Sequence, residues 1–185
     1  AGGRFPRPCL FERFDRLLTK LKPDVLIACY GMNDGIYQPL EEGRFAAFQN
    51  GIQNMIAQAK QAGVKKIYLV TPPIYDYQPK DDSFNYESVL SEYARWETKL
   101  NITNVKVIDL HTEMLAARKQ RDQPFSKDKV HPNEDGHWLM AQTIASALGA
   151  SETNMTLAEV KADPVFASID AIRNLRWKAW MNHIG

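Results

Sequence analysis

The alternation of short apolar runs with longer helical segments constrains the fold of this chain more than any other sequence feature. Three runs carry the β-branched enrichment of strands, at 25–30 (VLIACY), 64–70 (VKKIYLV) and 105–110 (VKVIDL). Helical periodicity fills the stretches between them. This order predicts an α/β fold, a parallel sheet with right-handed crossovers and helices on both faces. Because the first run is continuously apolar, we expect its strand to be covered on both faces.

The predicted helices have apolar residues at three- and four-residue spacing. They cover residues 11–21, 45–59, 83–100 and 139–148. From about Ser151 the strand pattern stops, and the chain is typical of a short helix, a break at Asp163 and Pro164, and a longer amphipathic helix. We therefore predict an α/β domain over residues 1–150 and a helical C-terminal extension over residues 151–185.

Composition and charge exclude several classes of function. The 185 residues are 44% hydrophobic and 24% charged, which is the balance of a globular protein. Lys and Arg number 23 against 22 Asp and Glu, so the net charge of +1 gives no electrostatic case for nucleic-acid binding. No apolar stretch is long enough for a transmembrane helix, and no Gly-x-Gly-x-x-Gly or phosphate-binding loop follows a strand. No signal peptide is visible, and the compartment is left open.

Polar residues that follow the predicted strands are the candidates for chemistry, because ligands of open parallel sheets bind beyond the carboxyl ends of the strands. Asn33 lies directly after the first strand, where its amide could donate a hydrogen bond to a developing oxyanion. Asp128 precedes His131 by three residues in a loop that enters a helix. It can reach back to one imidazole nitrogen, set the tautomer and leave the other nitrogen as a general base.

Each of the two motifs also has a purely structural interpretation. Asn and Asp favour turns, so the segment around Asn33 could simply reverse the chain. The segment from Asp128 to His131 could be a solvated loop, with Asn133 capping the next helix. Their occurrence together, in the order that an α/β hydrolase needs, favours the catalytic interpretation.

The two segments together resemble sequence blocks of the SGNH hydrolases, also called GDSL-type esterases and lipases. Residues 22–34 (KPDVLIACYGMND) are similar to the third block of the family, and residues 128–137 (DKVHPNEDGH) to the fifth. The resemblance extends over residues 1 to about 149. It implies that His131 is the general base, that Asp128 orients it and that Asn33 is an oxyanion donor.

The resemblance also carries expectations for the fold and the reaction. It implies a flavodoxin-like three-layer α/β/α sandwich with a five-stranded parallel sheet. Members of the family hydrolyse carboxylic esters and thioesters, including acyl lipids and acetylated sugars, so the expected partner is a small-molecule ester. The resemblance implies no metal and no other cofactor.

The first block of the family, a Gly-Asp-Ser that supplies the nucleophile, has no counterpart here. None of the seven serines follows a strand-like run, and Ser126 lies on the same loop as the predicted base, with poor room for in-line attack. Gly3 or Gly2 could be the backbone oxyanion donor of the second block, although both could equally belong to a flexible terminus.

These observations leave two functions open. The leading hypothesis is a serine esterase whose nucleophile belongs to an N-terminal βαβ portion outside these residues. Three strands without that portion would expose an apolar, unpaired edge. The alternative is a non-catalytic binding or scaffold domain that has the same fold and has lost the nucleophile.

Overall fold

A computed structural model describes residues 9–77, 83–150 and 155–184 of the chain. The chain divides into two compact units, Ala1–Ala147 and Leu148–Gly185. The first unit contains all three strands of the described part. Its elements in chain order are a 3₁₀ turn (Leu10–Glu12), α1 (Phe14–Leu21), β1 (Val25–Cys29), α2 (Glu42–Gln61), β2 (Lys66–Val70), α3 (Glu87–Thr98), β3 (Val105–Ile108), α4 (Leu110–Arg118) and α5 (Glu134–Ala147).

The three strands form one parallel sheet in the order β1–β2–β3, which confirms the predicted α/β class. Val25 lies opposite Lys66, and Ile67 lies opposite Val105. The strands are shorter than the apolar runs that predicted them. β2 begins only at Lys66, because the backbone N–H of Val64 still bonds to a carbonyl at the end of α2. β3 ends at Ile108, because the next residue is the N-cap of α4.

Helices cover the sheet on both sides, as the sequence predicts. Helices α1, α2 and α3 pack on one face through Phe14, Phe48, Met55, Leu90 and Tyr93, against Ile67 and Leu69 of β2. Helices α4 and α5 pack on the other face through Met114 and Ile144, against Val70 and Ile108. The apolar faces of the helices and the strands thus form the two interlayer cores of an α/β/α arrangement.

Strand β1 differs from the expectation that both of its faces are covered. Val25 and Ile27 are 46% and 45% exposed, and Cys29 is exposed as well, whereas Ala28 is buried. Side chains alternate along a strand, so Ala28 points to the α1–α3 side and the other three point to the opposite side. There the core of α4 and α5 includes residues of β2 and β3 but no described residue of β1. The prediction of a doubly covered β1 is therefore wrong.

The second unit contains two helices, α6 (Leu157–Ala162) and α7 (Pro164–Ile184). Thr156 and Glu159 form a reciprocal capping box that starts α6, and Pro164 starts α7 at the predicted break. Apolar residues do not concentrate on one face of α7, so the predicted amphipathic pattern is wrong, and Ile169, Ile172 and Leu175 are exposed. Within the described residues, no helix is long and apolar enough to cross a membrane.

One carboxyl group lies inside the first core. Glu97, on α3, is 1% exposed, and its Oε2 atom has no hydrogen-bond partner among the described residues. Burial raises the pKa of Glu97 to about 8, and the negative charges of Asp34 and Asp109 add to the rise. The carboxyl is therefore uncharged in the folded chain over most of the neutral range.

This carboxyl makes stability depend on pH. The folded pKa lies above the unfolded value, so the free energy of unfolding should fall as the pH rises from about 4.5 to about 8. We expect Glu97→Gln to remove this component and to be roughly 3–5 kcal/mol more stable than the parent chain near pH 8, with little difference near pH 4.5. Urea unfolding across this range measures it. Glu92→Gln, which changes a carboxylate paired with Arg95 at the surface of the same helix, is the control. If the free energies of unfolding of the parent and of Glu97→Gln changed with pH in parallel, the raised pKa of Glu97 would be contradicted.

Candidate active site

The loop between α4 and α5 brings Asp128 and His131 together. The Nδ1 atom of His131 lies 2.6 Å from Oδ2 of Asp128, and the other carboxylate oxygen accepts the backbone N–H groups of His131 (2.8 Å) and Val130 (3.1 Å). Because a carboxylate only accepts hydrogen bonds, Nδ1 must carry the proton. In the neutral ring the Nε2 atom then presents its lone pair, which is the tautomer that a general base needs.

The same contacts stabilise the ionised form of Asp128. The hydrogen bond from the His131 side chain, followed by those from the backbone N–H groups of His131 and Val130, holds the pKa of Asp128 well below its usual range. Both side chains are exposed, that of His131 at 82%. A permanently ionised carboxylate beside an accessible imidazole can orient the ring and stabilise the imidazolium that forms during proton transfer.

Asn33 lies on the loop that follows β1. The loop turns at Gly31, whose φ of +119° favours glycine and whose N–H donates to Oδ2 of Asp34 (3.1 Å). The hydroxyl of Tyr37 donates to Oδ1 of Asn33 at 2.8 Å. This bond orients the amide, in which Oδ1 is the acceptor and the NH₂ group is the donor. Asn33 is exposed, so a substrate oxygen could reach this group.

A row of aromatic contacts joins the loop that carries Asn33 to the loop that carries His131. The ring of Tyr37 lies 6.2 Å from that of Tyr75, and Tyr75 lies 6.2 Å from Tyr77, both on the loop after β2. The ammonium group of Lys129, next to Asp128 in the chain, lies 4.0 Å from the centre of the Tyr77 ring. The loops after β1 and β2 and the loop of His131 are thus neighbours at the carboxyl end of the sheet.

The structural role considered for Asn133 is also present. Its Oδ1 atom accepts the N–H of Gly136 at 3.0 Å, at the start of α5. A Cβ atom on Gly136 would approach the side chain of Pro132 to 2.9 Å and the carbonyl oxygen of Phe125 to 3.1 Å, so this close approach favours glycine. Several residues of the 128–137 segment therefore serve the fold, while Asp128 and His131 point to solvent.

A cavity of about 780 Å³ lies beside the loop of Asn33. Its polar wall includes Asn33 and Asp34, and its apolar walls come from the 3₁₀ turn and α2, with Phe11, Phe48 and Met55 among them. A space of this size with few polar groups can accept a small organic ligand.

Among the described residues, no hydrogen bond joins a serine side chain to His131. Ser126 is 2% exposed and its hydroxyl has no hydrogen-bond partner among the described residues, so an incoming ester cannot reach it. Ser88 and Ser168 each donate to a backbone carbonyl nearby in the chain. In the described part, none of β1, β2 or β3 is followed directly by a serine.

Ser91 does contact a histidine, but in the wrong arrangement for catalysis. Its Oγ atom lies 3.1 Å from Nε2 of His111, and Oε1 of Glu87 lies 2.8 Å from the same nitrogen. A catalytic triad needs the carboxylate and the hydroxyl on opposite ring nitrogens. His111 is also 3% exposed, with Nδ1 against the carbonyl of Pro72. This cluster joins α3 to the first turn of α4.

Cys29 is no alternative nucleophile. The residue is exposed at the end of β1, yet its Sγ atom lies 3.7 Å from the carbonyl oxygen of Thr71. Protein atoms packed around the sulfur raise the pKa of the thiol to about 12, and the charge of Glu97 adds to this. A thiol with that pKa carries almost no thiolate near neutral pH.

The structure also shows two contacts near the candidate site that the sequence did not predict. Tyr37 holds the amide of Asn33, and buried Asp76 contacts the loop that carries Asp128. The short distance between Tyr37 and Asn33 in the chain was a usable signal, whereas Asp76 lies about 50 residues from its partners.

Gly2 and Gly3, the predicted backbone oxyanion donors, lie outside the described residues. Within the described ranges, no three His, Cys, Asp or Glu side chains form a group that could hold a metal ion.

The first unit is an α/β domain with polar residues beyond the carboxyl ends of its parallel strands. The model of the GDSL-like lipase/acylhydrolase family matches residues 7–139, which is more than half of the chain. The chain therefore belongs to the GDSL-like lipase/acylhydrolase family. Comparison with curated protein sequences gives no match.

Several solved structures share the fold. An acetylxylan esterase from Geobacillus stearothermophilus matches with a TM-score of 0.63 and 22% identity, over 80% of this chain and 69% of that one. An α/β hydrolase from the metagenome of Lake Arreo, Spain, matches with a TM-score of 0.57 and 21% identity, over 78% and 68%. A gut microbial diltiazem-metabolizing enzyme matches with a TM-score of 0.59 and 20% identity, over 75% and 36%. Family and neighbours together support a carboxylic ester hydrolase.

Proposed function

We propose that this chain provides the base and an oxyanion donor of a serine ester hydrolase. The observation that carries the proposal is the Asp128–His131 pair, held in the tautomer of a general base by a 2.6 Å contact and exposed to solvent. Membership of the GDSL-like lipase/acylhydrolase family adds independent support.

The proposed reaction has two halves that use the same groups. His131 accepts the serine proton at Nε2 while the serine oxygen attacks the ester carbonyl, and Asp128 stabilises the imidazolium. The amide of Asn33 donates a hydrogen bond to the tetrahedral oxyanion. His131 then protonates the leaving alcohol, and a water molecule repeats the sequence to release the acid and restore the serine.

We further propose that the serine enters the site from a segment outside these residues. β1 is at the edge of the described sheet, because its only strand neighbour there is β2. The exposed Val25 and Ile27 form the apolar surface expected of a strand that another strand and its helix would cover. A serine at the carboxyl end of such a strand would lie beside Asn33, at the same edge of the sheet.

The substrate class that we propose is a small acyl ester or an acetylated carbohydrate. Structural neighbours include an acetylxylan esterase, of which two structures are described as catalytic mutants, one lacking a serine and one an aspartate. Tyr37, Tyr75 and Tyr77 lie between the proposed donor and the base, where aromatic rings could contact a sugar.

A serine-directed fluorophosphonate probe followed by intact-mass measurement tests this proposal. We expect no adduct on the 185-residue chain of 21.1 kDa, and one adduct on a longer polypeptide that contains the preceding segment. An adduct on the 21.1 kDa chain would place the nucleophile among these residues and contradict the external serine. No adduct on either species would favour the non-catalytic binding domain, for which the lack of a strand-end serine in the described part is the supporting observation.

A further inference from the structure

Asp76 connects the loop after β2 to the loop that carries His131. It is 7% exposed, and one carboxylate oxygen accepts the backbone N–H groups of Phe125 (2.5 Å) and Ser126 (3.2 Å). The other oxygen accepts Nε of Arg118 at 2.7 Å. The backbone N–H of Asp76 itself donates to the carbonyl of Lys129 at 2.9 Å.

These contacts enclose the turn that contains Asp128. Phe125 and Ser126 begin the turn, Lys129 ends it, and the N–H of Lys129 closes it on the carbonyl of Ser126 at 3.2 Å. Lys129 adopts a φ of +75°, a conformation that residues with a side chain rarely take. Backbone in this region persists where surrounding contacts hold it, and Asp76 holds both ends.

Arg118 offsets the free-energy cost of burying the charge of Asp76. Its guanidinium is the counterion of the carboxylate, and its Nη1 atom donates to the carbonyl of Arg121 at 2.6 Å, further along the same loop. A buried carboxylate needs such a partner together with hydrogen bonds to its remaining lone pairs, and Asp76 has both. The pair therefore ties α4, the loop after β2 and the turn of Asp128 into one unit.

We propose that Asp76 is a positioning residue for the catalytic pair. Asp76 acts through the turn 125–129 and keeps Asp128 against Nδ1 of His131. The statement that this pair is catalytic rests on the proposed function. The statement that Asp76 positions His131 does not, because the tautomer of His131 can be measured without turnover. Asp76 touches neither His131 nor the proposed substrate position in the described contacts, so its effect must pass through Asp128.

The test is the imidazole tautomer of His131, read from long-range ¹H–¹⁵N correlation spectra of the ¹⁵N-labelled chain at alkaline pH, with His131→Gln to assign the signals. We expect the parent chain to show the Nδ1–H form. Asp76→Asn keeps the shape but turns an NH₂ group toward either Arg118 or the two N–H donors. We expect it to lower the Nδ1–H population at least about twofold, because the Nε2–H form predominates in an unrestrained imidazole.

Two further variants make the test decisive. Ser126→Ala removes a buried hydroxyl that has no partner among the described residues of the same turn, and we expect the parent tautomer there. Arg118→Lys keeps the charge but not the geometry, and we expect a smaller shift in the same direction, which carries the test if Asp76→Asn does not fold. Hydrogen exchange of β2 and α3 amides reports the global fold.

The outcomes separate cleanly. A tautomer shift in Asp76→Asn, with native exchange in β2 and α3, supports the positioning role, and Arg118→Lys takes its place if Asp76→Asn does not fold. An unchanged tautomer in the variant so used overturns it, as does a shift that appears only with an equal loss of protection across the sheet. If the tautomer shifts and the longer polypeptide with the same substitution hydrolyses esters at the parent rate, the role of His131 as the base fails while its positioning by Asp76 stands.

Discussion

Replacing His131 with alanine in the polypeptide that carries the serine is expected to lower kcat/KM for ester hydrolysis by on the order of 10⁴–10⁶-fold. In the proposed mechanism the variant loses both the base that accepts the serine proton and the acid that protonates the leaving alcohol, and no other histidine of the described site can replace it. His111 is buried, with both ring nitrogens engaged. Steady-state hydrolysis of a chromogenic acetyl ester measures the effect.

His137→Ala is the matched control for this prediction. His137 lies six residues further along, on α5, is exposed, and its backbone N–H bonds to the carbonyl of Asn133 irrespective of the side chain. We expect parent activity in this variant. Activity within about tenfold of the parent in His131→Ala would remove His131 from the chemistry, since the loss of a general base costs far more.

Replacing Asn33 with alanine is expected to lower kcat by about 10²–10³-fold with little change in KM. The hydrogen bond to the oxygen strengthens as negative charge develops, so its loss raises the barrier more than it weakens substrate binding. Asn33→Asp provides a sharper version, because Asp keeps the shape and can still accept from Tyr37 but cannot donate to the oxyanion. We expect it to be at least as inactive as Asn33→Ala.

Asn50→Ala, at an exposed position on α2, controls for the loss of an asparagine elsewhere. Burst and steady-state measurements separate acylation from binding. A variant at Asn33 that raises KM while kcat stays at the parent value would show that Asn33 binds the substrate and does not stabilise the transition state.

Local spacing explains why the contact between Asp128 and His131, and the position of Asn33 after β1, could be predicted. The carboxylate and the imidazole are three residues apart in one turn, so their contact needs no information about the rest of the fold. Asn33 follows an apolar run directly, and the end of a parallel strand is where such folds bind ligands. The same reasoning gave the parallel sheet, because the alternation of strands and helices leaves few other connections.

Contacts between distant segments could not be predicted in this way. Asp76 lies in a loop among prolines and tyrosines, and its contacts with Phe125 and Ser126 join segments that α3, β3 and α4 separate in the chain. The burial of Ser126 and the misarranged cluster of Ser91 also emerge only from packing. In each case a polar group gains or lacks a partner according to which segments the fold brings together.

The sequence by itself therefore determined the α/β class, the order of the elements and the contact between His131 and Asp128, because periodicity and spacing along the chain are local properties. The tertiary structure alone decided that one face of β1 lies open, since coverage depends on which strands and helices stack beside it. It also decided that the buried carboxyls of Glu97 and Asp76 have different partners. Both carboxyls are buried, but only Asp76 meets a guanidinium and two backbone N–H groups, and those partners come from elsewhere in the chain.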